Sequence, residues 1–252
     1  MVSFKFILIF IMHALQIYIK NLMHANYFSL FLFFSGIIIF LCTHTDIIMI
    51  EISHLNLNFK NEIIFDNFSL LINKGEKVAV IGESGKGKTT FLNLLAGFIP
   101  DYSGNVSIFG HELNAENISE IRKHNAWLPQ DISLSVKTVR ELFFEPFEFT
   151  LNRDLKPSSE SVSQIFSEFD LSENLLNKKT NEISGGQKQR IILASCLLLK
   201  KPLLLVDEPT SALDEKIKQK ITDYILKQKK LTVIAATHDD YWIKSSDKVI
   251  EL

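Results

Sequence analysis

A glycine-rich stretch at residues 82–90 constrains the fold of this chain more than any other feature. It follows residues 77–81, an apolar run typical of a buried parallel strand, and it precedes residues 91–98, an apolar helical run. From Gly82 to Thr89 it has the pattern Gly-x-x-x-x-Gly-Lys-Thr, which binds phosphate groups when it lies between a strand and a helix. The sequence therefore predicts an α/β domain with a nucleotide at the carboxyl end of a parallel strand.

The residue types of this stretch indicate how it would hold a nucleotide. Its glycines let backbone N–H groups point at phosphate oxygens, and the following helix adds the positive end of its dipole. Lys88 can reach the β- and γ-phosphates, and the hydroxyl of Thr89 can ligate Mg²⁺. A turn that binds nothing is the alternative, and the complete pattern disfavours it. We expect nucleotide contacts from Gly82, Glu83, Ser84, Gly85, Lys86, Gly87, Lys88, Thr89 and Thr90.

A second apolar run ends in two acidic residues. Residues 203–206 are Leu-Leu-Leu-Val, and Asp207 and Glu208 follow directly. Because the carboxyl ends of parallel strands form the ligand-binding edge of such sheets, we expect both carboxylates to face the nucleotide. Asp207 can then hold Mg²⁺, and Glu208 can polarise the attacking water. A surface acidic pair is the alternative, and the apolar run in front of it argues against that.

Two further groups of residues belong to this argument. Residues 231–236 form another strand-like run, and His238 follows at the same edge, where it could contact the γ-phosphate; a lone histidine is otherwise usually structural. Before the helical run at residues 191–199 stands Ser184, a plausible N-cap. The two glycines after it leave the helix start open to an anion, although a capped helix without a ligand would also fit.

Together these motifs resemble the ATP-binding-cassette (ABC) ATPase family over residues 49–252. The matches are Walker A at Gly82 to Thr90, the signature at Ser184, Gly185, Gly186 and Gln187, Walker B at residues 203–208, the D-loop from Ser211 to Asp214, and the switch histidine at His238. The resemblance implies an α/β P-loop fold with a mixed sheet flanked by helices, an antiparallel β subdomain, and a helical subdomain at about residues 131–200. It also implies ATP hydrolysis with Mg²⁺.

Two weaker positions align with the same family. Gln130 stands at the Q-loop glutamine, which in the family touches Mg²⁺ and relays to the permease. Phe59 stands where the family usually places an aromatic residue that stacks on adenine; a strand core residue is the alternative. The resemblance therefore implies a catalytic set of Glu208, His238, Gln130 and Lys88, a metal set of Thr89, Gln130 and Asp207, and further nucleotide contacts at Phe59, the signature and Asp214.

The resemblance also implies partners. In this family the signature of one subunit closes over ATP held by another, so we expect a homodimer, with a heterodimer left open. We expect a separate membrane permease as well, received near the aromatic-rich residues 138–150, and a peripheral position on the cytoplasmic face of the membrane. A non-transport ABC ATPase acting on ribosomes or DNA is the alternative; the tandem cassettes or coiled coil that such proteins carry do not fit in 252 residues. A weaker likeness points to bacterial iron-export ATPases.

Charge and composition complete the expectations. The formal net charge of -2 gives no basic footprint, so nucleic acid is not expected as a partner. Residues 1–48 contain two apolar runs, 6–19 and 27–42, each shorter than the ~20 residues that span a bilayer. A membrane hairpin and a segment upstream of a true start at Met49 are the alternatives for this leader. A secretory signal is disfavoured, since no cleavage pattern follows.

Overall fold

The chain divides into two units, residues 1–46 and 47–252. The structure, a computed structural model, describes residues 31–34, 37–40, 48–59, 62–130 and 136–252. In the first unit these residues form an antiparallel pair, β1 (Phe31–Phe34) and β2 (Ile37–Phe40). Most of the predicted leader lies outside the described residues, so the membrane hairpin and the start at Met49 stay predictions. Among the helices that are described, none has the length and apolar character needed to cross a membrane.

The second unit opens with two long strands and then alternates helices and strands. In chain order its elements are β3 (Ile48–Phe59), β4 (Glu62–Asn73), β5 (Lys77–Ile81), α1 (Lys88–Leu95), β6 (Ser103–Ile108), β7 (His111–Glu112), α2 (Ile118–Lys123), β8 (Asn125–Leu128), α3 (Val139–Glu148), α4 (Ser159–Glu168), α5 (Gly185–Leu198), β9 (Leu203–Asp207), α6 (Glu215–Leu226), β10 (Thr232–Ala236), α7 (Asp240–Ser245) and β11 (Lys248–Glu251). Short 3-10 turns lie between α3 and α5, at Thr150–Leu155, Glu173–Asn177 and Thr180–Glu182.

A five-stranded parallel sheet in the order β11-β5-β10-β9-β8 positions the site. Every residue of β9 and β10 is buried, because helices and the second sheet cover both faces, as is usual for parallel strands. All the strands run the same way, so the carboxyl ends of β5, β10, β9 and β8 meet at one edge. The predicted α/β P-loop fold is confirmed.

A four-stranded antiparallel sheet, in the order β4-β3-β6-β7, packs against α1 and forms the predicted antiparallel subdomain. Along β3 the side chains alternate, with Ile50 and Ile52 buried and Glu51 exposed. The buried side chains of β3, β4 and β6 share one apolar core with Phe91 and Leu95 of α1. This sheet therefore supports α1 from behind and fixes the position of the phosphate-binding loop in front of it.

Residues 136–200 contain α3, α4 and α5 and the 3-10 turns between them. Within α5 every side chain from Ile191 to Leu198 is buried, and Ser195 donates a hydrogen bond of 2.6 Å to the carbonyl of Phe143 in α3. Thr138 and Glu141 form a capping box at the start of α3. The predicted helical subdomain covers this region, and its first residues, 131–135, lie outside the described residues.

Candidate functional site

The glycine-rich loop joins β5 to α1 in a conformation that requires glycine at defined positions. Gly85 and Gly87 have φ values of 86° and 96°, in the left-handed region that residues with a Cβ rarely adopt. A Cβ at Gly87 would also lie 2.3 Å from Cγ2 of Ile64. At Gly82 a Cβ would lie 2.4 Å from the carbonyl oxygen of Leu252, so this glycine permits close packing against β11's end.

Lys88 is the first residue of α1 and is buried. Its Nζ donates to the carbonyl oxygens of Gly82 at 2.7 Å and Glu83 at 3.0 Å. An ammonium group has three donors, so one is left for a further acceptor. The loop therefore holds a positive charge that its own carbonyl oxygens orient.

Asp207 and Thr89 meet across the site. Asp207 ends β9, and its Oδ2 accepts a hydrogen bond of 2.6 Å from Oγ1 of Thr89. Burial raises the pKa of the Asp207 carboxyl, while the Thr89 hydroxyl and the Lys88 charge act in the opposite direction. The pair brings a carboxylate and a hydroxyl oxygen together next to the lysine.

Glu208 follows β9 with an unusual backbone conformation. Its φ is 49°, and its N–H donates to the carbonyl of Ala236 at the end of β10, at 2.9 Å. Its Oε1 lies 3.7 Å from Nε2 of His238, whose side chain is 59% exposed against 16% for Glu208. Burial raises the pKa of the Glu208 carboxyl, and the neighbouring imidazole lowers it by a smaller amount.

One open cavity of about 380 Å³ collects these groups at the carboxyl edge of the parallel sheet. Its lining comes from the loop after β5, the first turn of α1, the end of β9 and the segments that follow β8, β9 and β10. The lining residues are Ser84, Gly85, Gly87, Lys88, Thr89, Gln130, Asp207, Glu208, Ser211 and His238. Among the predicted contacts, Gly82 and Glu83 instead orient Lys88 through their carbonyls, Lys86 is exposed, and Thr90 lies in α1. The side chain of Phe59 lies outside what the structure describes.

The signature residues Ser184, Gly185 and Gly186 line a separate cavity of about 390 Å³, which we call the signature cavity; Gln187 is not in its lining. The other lining residues are Arg190, Ala212, Leu213, Asp214 and Ile217. Ser184 caps α5: its Oγ accepts from the N–H of Gln187, whose Oε1 accepts from the N–H of Ser184. Gly185 and Gly186 lie in the lining. Asp214 is also there, and its Oδ1 accepts from the N–H of Ile217 at 3.1 Å, so it caps α6.

Sequence reasoning missed several polar residues that support the site. The amide of Gln189 bonds to the loop that carries Glu208, and Arg190 Nη1 donates to the carbonyls of Phe169 and Asp170. Thr210 donates to Asp239, the residue after His238, at 3.0 Å. The available signal was two polar residues placed directly before the buried run of α5.

Comparison with known proteins gives concordant results. The ABC transporter family matches residues 65–211, more than half of the chain. The thiamine import ATP-binding protein ThiQ of Histophilus somni is 38% identical in an alignment of 204 positions that covers 74% of this chain and 87% of that relative. The energy-coupling factor transporter ATP-binding protein EcfA1 of Mycoplasma pneumoniae is 33% identical in an alignment of 191 positions that covers 73% of this chain and 68% of that relative.

The structural comparison points the same way. The ATP-binding cassette MJ0796, solved as a dimer in a post-hydrolysis state bound to ADP and Pi, matches with a TM-score of 0.69 and 27% identity. The match covers 81% of this chain and 94% of that cassette. Since the sequence relatives above are named for thiamine import and energy coupling, the likeness to iron-export ATPases stays a prediction. The chain belongs to the ABC transporter family and is one of its ATP-binding, ATP-hydrolysing subunits.

Proposed function

We propose that this subunit hydrolyses ATP in the cavity at the carboxyl edge of the parallel sheet, with Glu208 as the general base, and that the reaction drives a separate membrane permease. The observation that carries the proposal is the shared cavity. It places the Lys88 ammonium, the Asp207 carboxylate and the Glu208 carboxylate around one space that opens to solvent. A cation, a metal-binding oxygen and a base are the groups that phosphoryl transfer to water requires.

The phosphate groups would be held mainly by the loop after β5. Its backbone N–H groups and the start of α1 favour negative charge. Lys88 keeps a donor that the carbonyls of Gly82 and Glu83 do not use, and we assign that donor to a phosphate oxygen. Ser84 and Gly85 complete the wall of the cavity on this side.

The oxygen atoms at the floor of the cavity fit Mg²⁺. Thr89 and Asp207 place a hydroxyl and a carboxylate 2.6 Å apart, and the amide of Gln130 lines the same cavity. The described part of the chain contains no cluster of three or more His, Cys, Asp or Glu residues that could hold an ion alone. This suits Mg²⁺, which takes one or two carboxylates together with phosphate oxygens and waters. When bound, it would neutralise charge on the phosphates.

Glu208 has the surroundings that a general base needs. Burial raises its pKa, which makes the carboxylate a stronger base than an exposed one, and the imidazole of His238 limits that rise. We assign to Glu208 the proton of the attacking water and to His238 the contact with the terminal phosphate. Both side chains reach the cavity from adjacent strands, β9 and β10.

We further propose that two copies of the chain form the working unit. The cavity at the carboxyl edge of the parallel sheet, which we call the ATP cavity, and the signature cavity have no lining residue in common. One chain would therefore supply the ATP cavity of one site and the signature of another. A Cβ added to Gly185 would meet nothing within 4 Å, which leaves room for a phosphate held by a second copy. The related cassette MJ0796 is a dimer, which supports this arrangement.

The permease would bind on the helical subdomain. Phe149, Leu151 and Leu155 are large apolar side chains exposed by 62%, 50% and 39%, and they follow α3. Beside α3 a cavity of about 510 Å³ is lined by Arg140, Phe144 and neighbouring residues. Apolar side chains exposed in this way are typical of interaction surfaces. The subunit would then lie peripherally on the cytoplasmic face of the membrane.

Replacement of the proposed base tests the reaction. In Glu208→Gln we expect ATP binding to persist and turnover to fall by about 10²- to 10⁴-fold, because a positioned base contributes about that much. Glu116→Gln is the control, since Glu116 is exposed and is not one of the residues that line the cavity. Phosphate release and nucleotide titration measure the two quantities. Undiminished turnover in Glu208→Gln would remove Glu208 from this role.

Affinity purification of the tagged chain from solubilised host membranes tests the partner. We expect a multi-span permease to co-purify, and we expect Phe149→Ser with Leu151→Ser to lose it while ATP hydrolysis continues. Recovery of ribosomal or DNA-repair proteins without a permease would contradict the transport role. Recovery of a second, different ATP-binding subunit would replace the homodimer by a heterodimer.

A further inference from the structure

The side-chain amide of Gln189 binds one loop at three points. Gln189 lies in the second turn of α5, and its Nε2 donates to the carbonyl of Glu208 at 2.6 Å and to Oγ of Ser211 at 3.3 Å. Its Oε1 accepts from the N–H of Ala212 at 3.1 Å. Both ends of the amide are therefore used on the short segment that follows β9.

That segment, residues 208–214, has one end in each cavity. Glu208 and Ser211 line the ATP cavity, whereas Ala212 and Asp214 line the signature cavity. Gln189 lines neither, and it binds the segment where the two halves meet. The signature helix α5 is thus attached directly to the loop that carries the proposed base.

The backbone of Glu208 explains why such an attachment matters. Its φ of 49° is unfavourable for a residue with a Cβ, so the surrounding structure has to hold it. The N–H of Glu208 donates to the carbonyl of Ala236. The carbonyl of Glu208 accepts from the Gln189 amide, from the N–H of Ser211 at 3.3 Å and from the Oγ of Ser211 at 3.1 Å. The bond to Gln189 is the shortest of these. The direction of the Glu208 carboxylate depends on this backbone conformation.

We propose that Gln189 is a positioning residue for hydrolysis, through which the signature helix fixes the place of the Glu208 carboxylate in the ATP cavity. The proposal rests on the assignment of Glu208 as the base. The competing explanation is that Gln189 only packs α5 against the loop. The two differ in one respect, because a positioning role acts through Glu208 and a packing role does not.

Two substitutions of Gln189 test the proposal in the full chain. Gln189→Ala removes the amide, whereas Gln189→Glu keeps its length and the acceptor for Ala212 but loses the donor to Glu208. In both we expect kcat to fall about tenfold to a hundredfold, since a displacement of about 1 Å at a reacting group costs up to about 10² in rate. KM should stay within about twofold, because Gln189 does not line the ATP cavity. Gln219→Ala, on the exposed side of α6, is the control and should match the wild type.

Combination with Glu208→Gln separates the two explanations. In that background Gln189→Ala should change the residual rate by less than about twofold, because its effect passes through a side chain that is already disabled. Wild-type kcat in both Gln189 variants overturns the proposal, and so does an equal loss with and without the Glu208 carboxylate. Wild-type turnover in Glu208→Gln alone overturns the proposed function, and that result is obtained without any change at Gln189.

Discussion

Two adjacent glycines at the start of α5 have different surroundings, and this predicts opposite effects of the same substitution. A Cβ added to Gly186 would lie 2.7 Å from the carbonyl oxygen of Ala212 and 3.3 Å from Cδ2 of Leu213. The first contact is with backbone, so the loop or the helix has to shift. A Cβ added to Gly185 would meet nothing within 4 Å. Gly186→Ala should therefore disturb the fold of the single chain, and Gly185→Ala should not.

The sizes of the effects follow from packing and helix propensity. Overpacking costs about 1–3 kcal/mol, and we take the upper part of that range, about 2–3 kcal/mol, because the 2.7 Å contact is with backbone. Alanine recovers up to about 1 kcal/mol over glycine within a helix. A net loss of about 1–2 kcal/mol lowers the unfolding temperature of a domain this size by roughly 2–8 °C. For Gly185→Ala only the helix term remains, so the unfolding temperature should stay level or rise by a few degrees.

Calorimetry and ATPase assays on both variants give the decisive comparison. If a second copy places its phosphates against Gly185, the added methyl group occupies that space, and hydrolysis should fall about tenfold or more although the fold is intact. Gly185→Ala with wild-type hydrolysis would refute the anion-binding role of the signature cavity. Gly186→Ala with an unchanged unfolding temperature would refute the close approach of α5 to Ala212.

Three further outcomes follow from the ATP cavity. Lys88→Ala should weaken ATP binding by roughly 10- to 150-fold, since a charged hydrogen bond contributes about 1.5–3 kcal/mol. A nucleotide titration measures this, with Lys216→Ala as the control, because Lys216 is an exposed residue of α6 that does not line the cavity. His238→Ala should move the acidic limb of the kcat profile to higher pH, because the imidazole lowers the pKa of Glu208 and the base must be ionised; an unmoved limb would contradict this. Glu208→Gln should raise the unfolding temperature of the nucleotide-free protein, because it removes a carboxylate that burial makes unfavourable; a lower value would count against the buried charge.

The fold and most of the cavity could be predicted because the reacting groups directly follow apolar strands. Residues 203–206 predicted a buried strand, and β9 places Asp207 and Glu208 at its end. Parallel strands bring their carboxyl ends to one edge of the sheet. The order of the motifs along the sequence was therefore enough to predict that Lys88 and His238 lie close together, and both line the same cavity. The local pattern of apolar residues predicts the strands, and their parallel direction predicts which strand ends lie together.

The supporting contacts could not be predicted, because they join residues that are distant in the chain. The partners of Gln189 lie 19 to 23 residues further along, and no periodicity indicates which polar side chain of α5 turns toward that loop. The packing of Gly82 against Leu252 depends on β11 lying beside β5. The left-handed conformation of Glu208 is equally hidden, since glutamate has no preference for it.

The acidic residues of the cavity connect the stability of the fold to its function. Burial raises the pKa of both Asp207 and Glu208, so the folded protein holds these protons more tightly than the unfolded chain does. Their contribution to stability is therefore fully present below the ordinary pKa of a carboxyl and is lost as the pH rises through the raised value. Above those raised pKa values, the ionised carboxylates of Asp207 and Glu208 in the nucleotide-free site favour unfolding. A bound cation would offset the charge of both carboxylates. A ligand that binds only the folded state stabilises that state. The same two carboxylates therefore lower the stability of the nucleotide-free fold and raise the stability of the fold with its cation bound.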